Sequence, residues 1–167
     1  MIKAIVYTSN TGFTKKYAEL LGEELGLPVY EFKNAKEKIC AKEKIIYMGW
    51  IMAGTIKNYK KAKKLYNIKA VIAVGMGAGK KEQNCELIER NSIKEKLFYL
   101  QGGYNKTKLK GVYKIMMSTL EKMIKPQLEK IKDKTQEDIE MIEMMEKGKN
   151  CVKKENLKEI IKWVKES

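Results

Sequence analysis

Ile2-Lys3-Ala4-Ile5-Val6-Tyr7-Thr8-Ser9-Asn10-Thr11-Gly12-Phe13-Thr14-Lys15-Lys16-Tyr17-Ala18-Glu19-Leu20-Leu21 stands near the start of the chain, and its reading decides the fold. Ile2–Tyr7 is a short apolar, β-branched run, as a buried strand requires. Tyr17, Ala18, Leu20, Leu21 and Leu25 then recur at the three- and four-residue spacing of a helix, which Gly26 and Pro28 end. Between strand and helix lies Thr8–Thr14, a turn of small and hydroxyl-bearing residues. Such a turn suits a phosphate. The first N–H groups of a helix have no intrahelical partner, the helix dipole favours an anion there, and Ser and Thr hydroxyls add donors without adding charge. Gly12 lets the backbone approach a ligand closely. The same residues would also serve as an ordinary Ser/Thr helix cap. The loop contains no Lys and only one Gly, so it is neither a GxxxxGK[ST] nucleotide loop nor a GxGxxG dinucleotide fingerprint.

Working outward, Val29–Phe32, Lys44–Met48, Ala70–Val74 and Lys96–Leu100 read as four further strands. Helical patterns at Tyr59–Tyr66 and Gln83–Glu89 separate the later ones. Strand, helix, strand at this spacing means βαβ units and a parallel sheet. The strands are apolar throughout rather than alternating, as expected when helices cover both faces. After Gly102-Gly103 the character changes. Val112, Ile115, Met116, Leu120, Met123 and Leu128 lie at helical spacing, with Pro126 expected to kink or end the helix. Tyr104–Lys134 carries a net +6, and Thr135–Lys147 a net −4. A last helix shows Leu157, Ile160, Ile161 and Val164 on one face. The expectation is a single domain over residues 1–167, with residues 104–150 a helical elaboration.

Composition narrows the chemistry. The 167 residues are 44% hydrophobic and 34% charged, the balance of a globular protein, and no apolar run nears the ~20 residues that span a bilayer. The N-terminal run reads as a strand and not as a signal peptide. There is no histidine, which excludes Ser-His-Asp triads, Cys-His dyads and histidine-based zinc sites. Cys40, Cys85 and Cys151 are widely spaced and form no CxxC, as expected of free thiols in a reducing cytoplasm. Redox chemistry here would therefore need a borrowed cofactor. The net charge of +14 favours an anionic surface or partner. Only Arg90 among 35 basic residues is arginine, so base-reading of nucleic acid is disfavoured.

The segment Ile5–Leu20 resembles the N-terminal signature of the flavodoxin family, whose [ST]-x-T-G-x-[ST] loop holds the FMN phosphate. Ser9, Thr11, Gly12 and Thr14 match it, with Asn10 and Phe13 at its free positions and Thr8 leading in. The resemblance implies a flavodoxin-like, doubly wound, five-stranded parallel sheet of order 2-1-3-4-5, an α/β fold that binds FMN at its switch point. It also implies that the flavin ring lies outside the carboxyl ends of strands one, three and four. After strand three comes Gly49-Trp50-Ile51-Met52-Ala53-Gly54, and after strand four Gly75-Met76-Gly77-Ala78-Gly79. Both resemble the loops that sandwich the isoalloxazine in flavodoxins. Trp50 is a plausible stacking partner, while the Gly-rich second loop would leave one flavin face open. A finer resemblance, to the flavodoxin-type protoporphyrinogen dehydrogenases, rests on length, on Gly49 and Gly54, and on the basic Tyr- and Met-containing segment after strand five.

What this implies is an FMN-dependent oxidoreductase or electron-transfer flavoprotein of the cytoplasm. Its electrons would come from an organic substrate such as a porphyrinogen. They would pass to a quinone-type acceptor or a redox partner protein, with peripheral contact to the inner, anionic face of a membrane. A one-electron carrier is the alternative, although carriers of this family are typically acidic. A flavin-free protein with a basic nucleic-acid-binding surface is the third.

Overall fold

The computed structural model describes all residues, Met1–Ser167. In chain order the elements are β1 (Ala4–Thr8), α1 (Phe13–Leu25), β2 (Val29–Glu31), α2 (Phe32–Ala35), β3 (Lys44–Met52), β4 (Thr55–Ile56), α3 (Tyr59–Leu65), β5 (Asn67–Gly75), α4 (Lys81–Asn91), β6 (Lys96–Gln101), β7 (Gly103–Tyr104), α5 (Gly111–Lys130), α6 (Gln136–Lys147), β8 (Lys149–Asn150) and α7 (Lys158–Glu166). They form two compact units: residues 1–102 with 152–167, and residues 103–151.

In the first unit the long strands are all parallel, in the order β2-β1-β3-β5-β6. With the short hairpin strand β4 set aside, this is the expected order 2-1-3-4-5. The unbroken apolar runs have a simple cause, because alternate residues point to opposite faces and both faces are covered. Ala4, Val6, Ile45, Tyr47, Val71 and Ala73 pack with Ala35, Tyr59, Ala62 and Leu87 of α2, α3 and α4. Ile5, Tyr7, Ile46, Met48, Ala70, Ile72 and Val74 pack with Tyr17, Ala18, Leu21 and Ile160 of α1 and α7. Each fully buried Ile or Leu here contributes about 1.5–3 kcal/mol by leaving water. The left-handed Gly26 closes α1, its N–H bonding the carbonyl of Gly22.

Two local expectations are corrected and a third is narrowed. Gly49–Met52 is not a loop after strand three but its continuation, because β4 folds back on it with Ile51 opposite Ile56 and Met52 opposite Thr55. Phe32 begins the short helix α2 instead of ending strand two. Of the two outcomes expected at Pro126, the helix does not end there: α5 continues to Lys130. Proline forfeits one backbone bond and crowds the preceding turn, and four residues from the helix end that does not stop it.

In the second unit β7 and β8 pair antiparallel, and α5 packs with α6. The two charge blocks meet in an ion pair, Lys125 of α5 contacting Glu146 of α6 at 2.7 Å; within the basic block, Lys106 contacts Glu121 at 2.5 Å. Thr135 and Asp138 form a reciprocal capping box at the start of α6. The methionines divide: Met144 and Met145 are buried, whereas Met123 is 61% exposed. No helix is long and apolar enough to cross a membrane.

Candidate functional site

Sheet register brings the three sequence-marked segments together. Thr8 at the end of β1 pairs with Gly49, Gly49 with Ala73, Trp50 with Val74, and Gly75 with Gln101. The loop Ser9–Gly12, the β3–β4 hairpin and the loop Met76–Gly79 therefore leave adjacent strands at the carboxyl edge, where the order 2-1-3 reverses direction.

The first loop is built like an anion cradle. Gly12, at φ 96, opens α1; no side chain caps the helix and no acidic residue lies in its first turn. The Ser9 hydroxyl oxygen accepts the Gly12 N–H at 3.1 Å, so its own proton is left to donate outward. Thr14 is 1% exposed, while Thr11 is half-buried. A Cβ built on Gly12 would meet nothing within 4 Å, so the space beside the turn is open. These features fit a phosphate.

Thr8 has another job. The buried Tyr47 hydroxyl donates to the Lys57 carbonyl at 2.6 Å and lies 2.8 Å from the Thr8 hydroxyl. Tyr47 has one proton, and Lys57 takes it, so Thr8 donates to Tyr47. Asn58 Nδ2 donates in turn to Thr8 Oγ1 at 3.4 Å. Burial holds the Tyr47 hydroxyl well above the usual tyrosine range, against the lowering effect of its bond to Thr8, so that proton stays at any working pH. The Thr8 side chain thus ties the cradle to the return strand of the hairpin, leaving Ser9, Thr11 and Thr14 as the cradle's other hydroxyl residues.

The glycine-rich loop is held from beneath. Tyr99 donates to the Gly77 carbonyl at 2.8 Å, Gln101 Nε2 to the Met76 carbonyl at 3.1 Å, and the Gly102 N–H to the Gly75 carbonyl at 2.8 Å. Burial pushes the Tyr99 hydroxyl up to about 12, so it remains a donor. The glycines have a direct cause in that ring. A Cβ on Gly75 would stand 2.2 Å from the Tyr99 oxygen, and one on Gly79 2.3 Å from the ring carbon.

The hairpin is held from the other side. Asn91, 2% exposed, donates to the Gly54 carbonyl and accepts the Ile56 N–H, both at 2.9 Å. Arg90 donates to the Ala53 carbonyl at 2.6 Å. Trp50 is half-buried on β3, its carbonyl accepting the Lys57 N–H at 3.0 Å.

A parallel sheet with helices on both faces and a hydroxyl-lined turn after its first strand defines the class: a doubly wound α/β protein. The family model described as flavodoxin domain matches residues 4–130, and the chain belongs to that family. Membership implies a flavin cofactor and a redox role. No curated protein matches the chain.

Sequence reasoning marked the three loops but missed Tyr47, Tyr99, Gln101, Arg90 and Asn91, which hold them. Tyr47 and Tyr99 read simply as strand residues. The one available signal was the lone arginine, Arg90, among 35 basic residues.

Proposed function

We propose that the site binds FMN and that the protein is an FMN-dependent oxidoreductase, passing electrons from an organic substrate, a porphyrinogen being one such, to a quinone-type acceptor. The convergence of the uncapped α1 cradle, the Trp50 hairpin and the Met76–Gly79 loop on one sheet edge carries this reading. Ser9, Thr11 and Thr14 with the first amides of α1 hold the phosphate. Segments Gly49–Gly54 and Gly75–Gly79 flank the ring, which supplies the electron-accepting chemistry when bound. One phosphate cradle calls for a mononucleotide. Flavin released from the purified protein is expected to be FMN by mass; recovery of FAD alone overturns the reading.

Trp50 is the stacking residue in this reading. A stacked aromatic quenches flavin emission, so Trp50→Leu is expected to brighten the bound cofactor. Emission that stays dark assigns the stacking elsewhere, with Tyr7 the next to test.

The net charge of +14 opposes a carrier role, because docking on the basic patches that acidic carriers meet would bring like charges together. It suits an anionic membrane surface. Helix α5 presents Val112, Ile115, Met116, Leu120 and Met123 to solvent, from 38% to 70% exposed. Lys122 and Lys130 border this stripe, and Lys108 and Lys110 precede it, all exposed. An apolar stripe bordered by cations is the pattern of a helix lying in a bilayer interface. A quinone-type acceptor is itself lipid-soluble, so contact with the membrane would bring the protein to it.

A further inference from the structure

Helix α4 touches both flavin-side loops of the proposed site. Its first turn follows directly from the Gly75–Gly79 loop, with Lys80 as the cap residue. Its last turn ends at the β3–β4 hairpin. Ser92, at φ 53, closes that end by donating its N–H to the carbonyls of Ile88 and Glu89, so the helix is regular up to Asn91. Asn91 then makes three hydrogen bonds. Its amide nitrogen donates to Gly54 and Leu87 and its oxygen accepts from Ile56, all at 2.9 Å. Arg90 adds the bond to Ala53 and lies across Gly54, where a Cβ would stand 2.4 Å from the Arg90 Nη1.

The turn it grips needs gripping. Ala53 has φ 46 and Gly54 φ 73, two consecutive left-handed residues, of which the first is not glycine. An L-residue in that region is held there by its surroundings at a cost of about 1–3 kcal/mol. Both carbonyls of this strained turn are spoken for by α4. The β4 ladder at residues 55 and 56 and the Lys57 contacts to Trp50 and Tyr47 fix the legs of the hairpin, while α4 holds its turn.

We propose that Arg90 and Asn91 are positioning residues for the cofactor. They lock the Ala53–Gly54 turn, and with it the hairpin that carries Trp50, at a fixed distance from the Gly75–Gly79 loop at the other end of α4. The inference rests on the FMN reading of these loops. Its consequence is that flavin affinity and midpoint potential respond to two side chains that need not touch the flavin. Binding would otherwise have to order the turn, and the ordering would weaken it.

The test uses the full-length chain with Arg90→Gln, Arg90→Lys and Asn91→Ala. Arg90 is exposed, so its replacement leaves the fold intact; Asn91→Ala strands buried groups and serves as the severe case. In flavin-free protein, Arg90→Gln is expected to speed amide exchange over residues 51–56 by about tenfold, the worth of one charge-assisted hydrogen bond, with the thermal midpoint little changed. In the same variant the FMN dissociation constant rises several-fold and the midpoint potential of bound FMN shifts. Arg90→Lys, which keeps a charged donor, restores part of each. Unchanged exchange over residues 51–56 overturns the clamp. Faster exchange with FMN affinity and potential both unchanged shows a merely structural bond and overturns the positioning role. A wild-type chain that takes up no FMN fails the parent reading and the cofactor role together. That outcome is visible before any variant is made, while the exchange measurement still decides whether α4 holds the turn.

Discussion

Thr11→Ala combined with Thr14→Ala is expected to weaken FMN binding by about a hundredfold or more and to leave riboflavin binding almost unchanged. Each hydroxyl that donates to a phosphate dianion makes a charge-assisted bond of roughly 1.5–3 kcal/mol. Two such bonds correspond to at least two powers of ten in the dissociation constant. Riboflavin has the same ring and no phosphate, so it separates the cradle from the ring site. The Ser9 hydroxyl and the uncapped amides of α1 remain in the variant and account for the residual affinity. Thr14 is 1% exposed, so its truncation also costs some packing, and a thermal melt run alongside gauges that part. Titration of flavin fluorescence reads both ligands. An FMN affinity equal to that of the wild type would mean the loop is a helix cap and the phosphate sits elsewhere.

Replacing Lys108, Lys110, Lys122 and Lys130 together with Gln is expected to lower binding to vesicles rich in anionic lipid by roughly a thousandfold. A basic side chain near such a surface contributes about 1 kcal/mol, and four of them about 4 kcal/mol. Lys106 is left in place because Glu121 already holds it. Surface attraction of this kind is screened within about 10 Å at ordinary salt, so wild-type binding should fall steeply as salt is added and the variant's less steeply. FMN affinity stays unchanged in the variant, since its lysines lie outside the three flavin-side loops. Turnover with a membrane-dissolved quinone falls in parallel with vesicle binding. A wild-type protein that ignores anionic vesicles, or a variant that binds them equally well, reduces the basic face of α5 to a solvated surface.

The parts of the site that were legible share one property, which is that neighbours in sequence suffice to specify them. Thr8–Thr14 shows its hydroxyls, its glycine and its place between an apolar run and a helical period within seven residues. The Gly75–Gly79 loop announces itself by composition. The segment after the third parallel strand was marked, but its β3–β4 hairpin was described wrongly. Gly49–Met52 reads as a loop because a glycine follows a finished apolar run, whereas a later pair of residues, Thr55 and Ile56, folds back and extends the strand. The exposed stripe of α5 was visible as a helical period, but a period does not say whether the stripe is covered.

The sequence by itself determined the alternation of strand and helix, the burial of the sheet on both faces, the cradle at the start of α1 and the absence of any histidine chemistry. All of these follow from local period, residue type or count. Only the tertiary structure decided how the cradle and loops are held. Tyr47 reaches Thr8 across 39 residues, Asn91 reaches Gly54 across 37, and Tyr99 reaches Gly77 across 22. Each contact exists because a parallel register sets one strand end beside another, Thr8 by Gly49 and Gly75 by Gln101, and because a side chain then points from one layer into the next. A buried tyrosine or asparagine looks the same in the sequence whether it bonds to a functional turn or only fills the core. The difference lies in which distant carbonyl the fold brings within 3 Å.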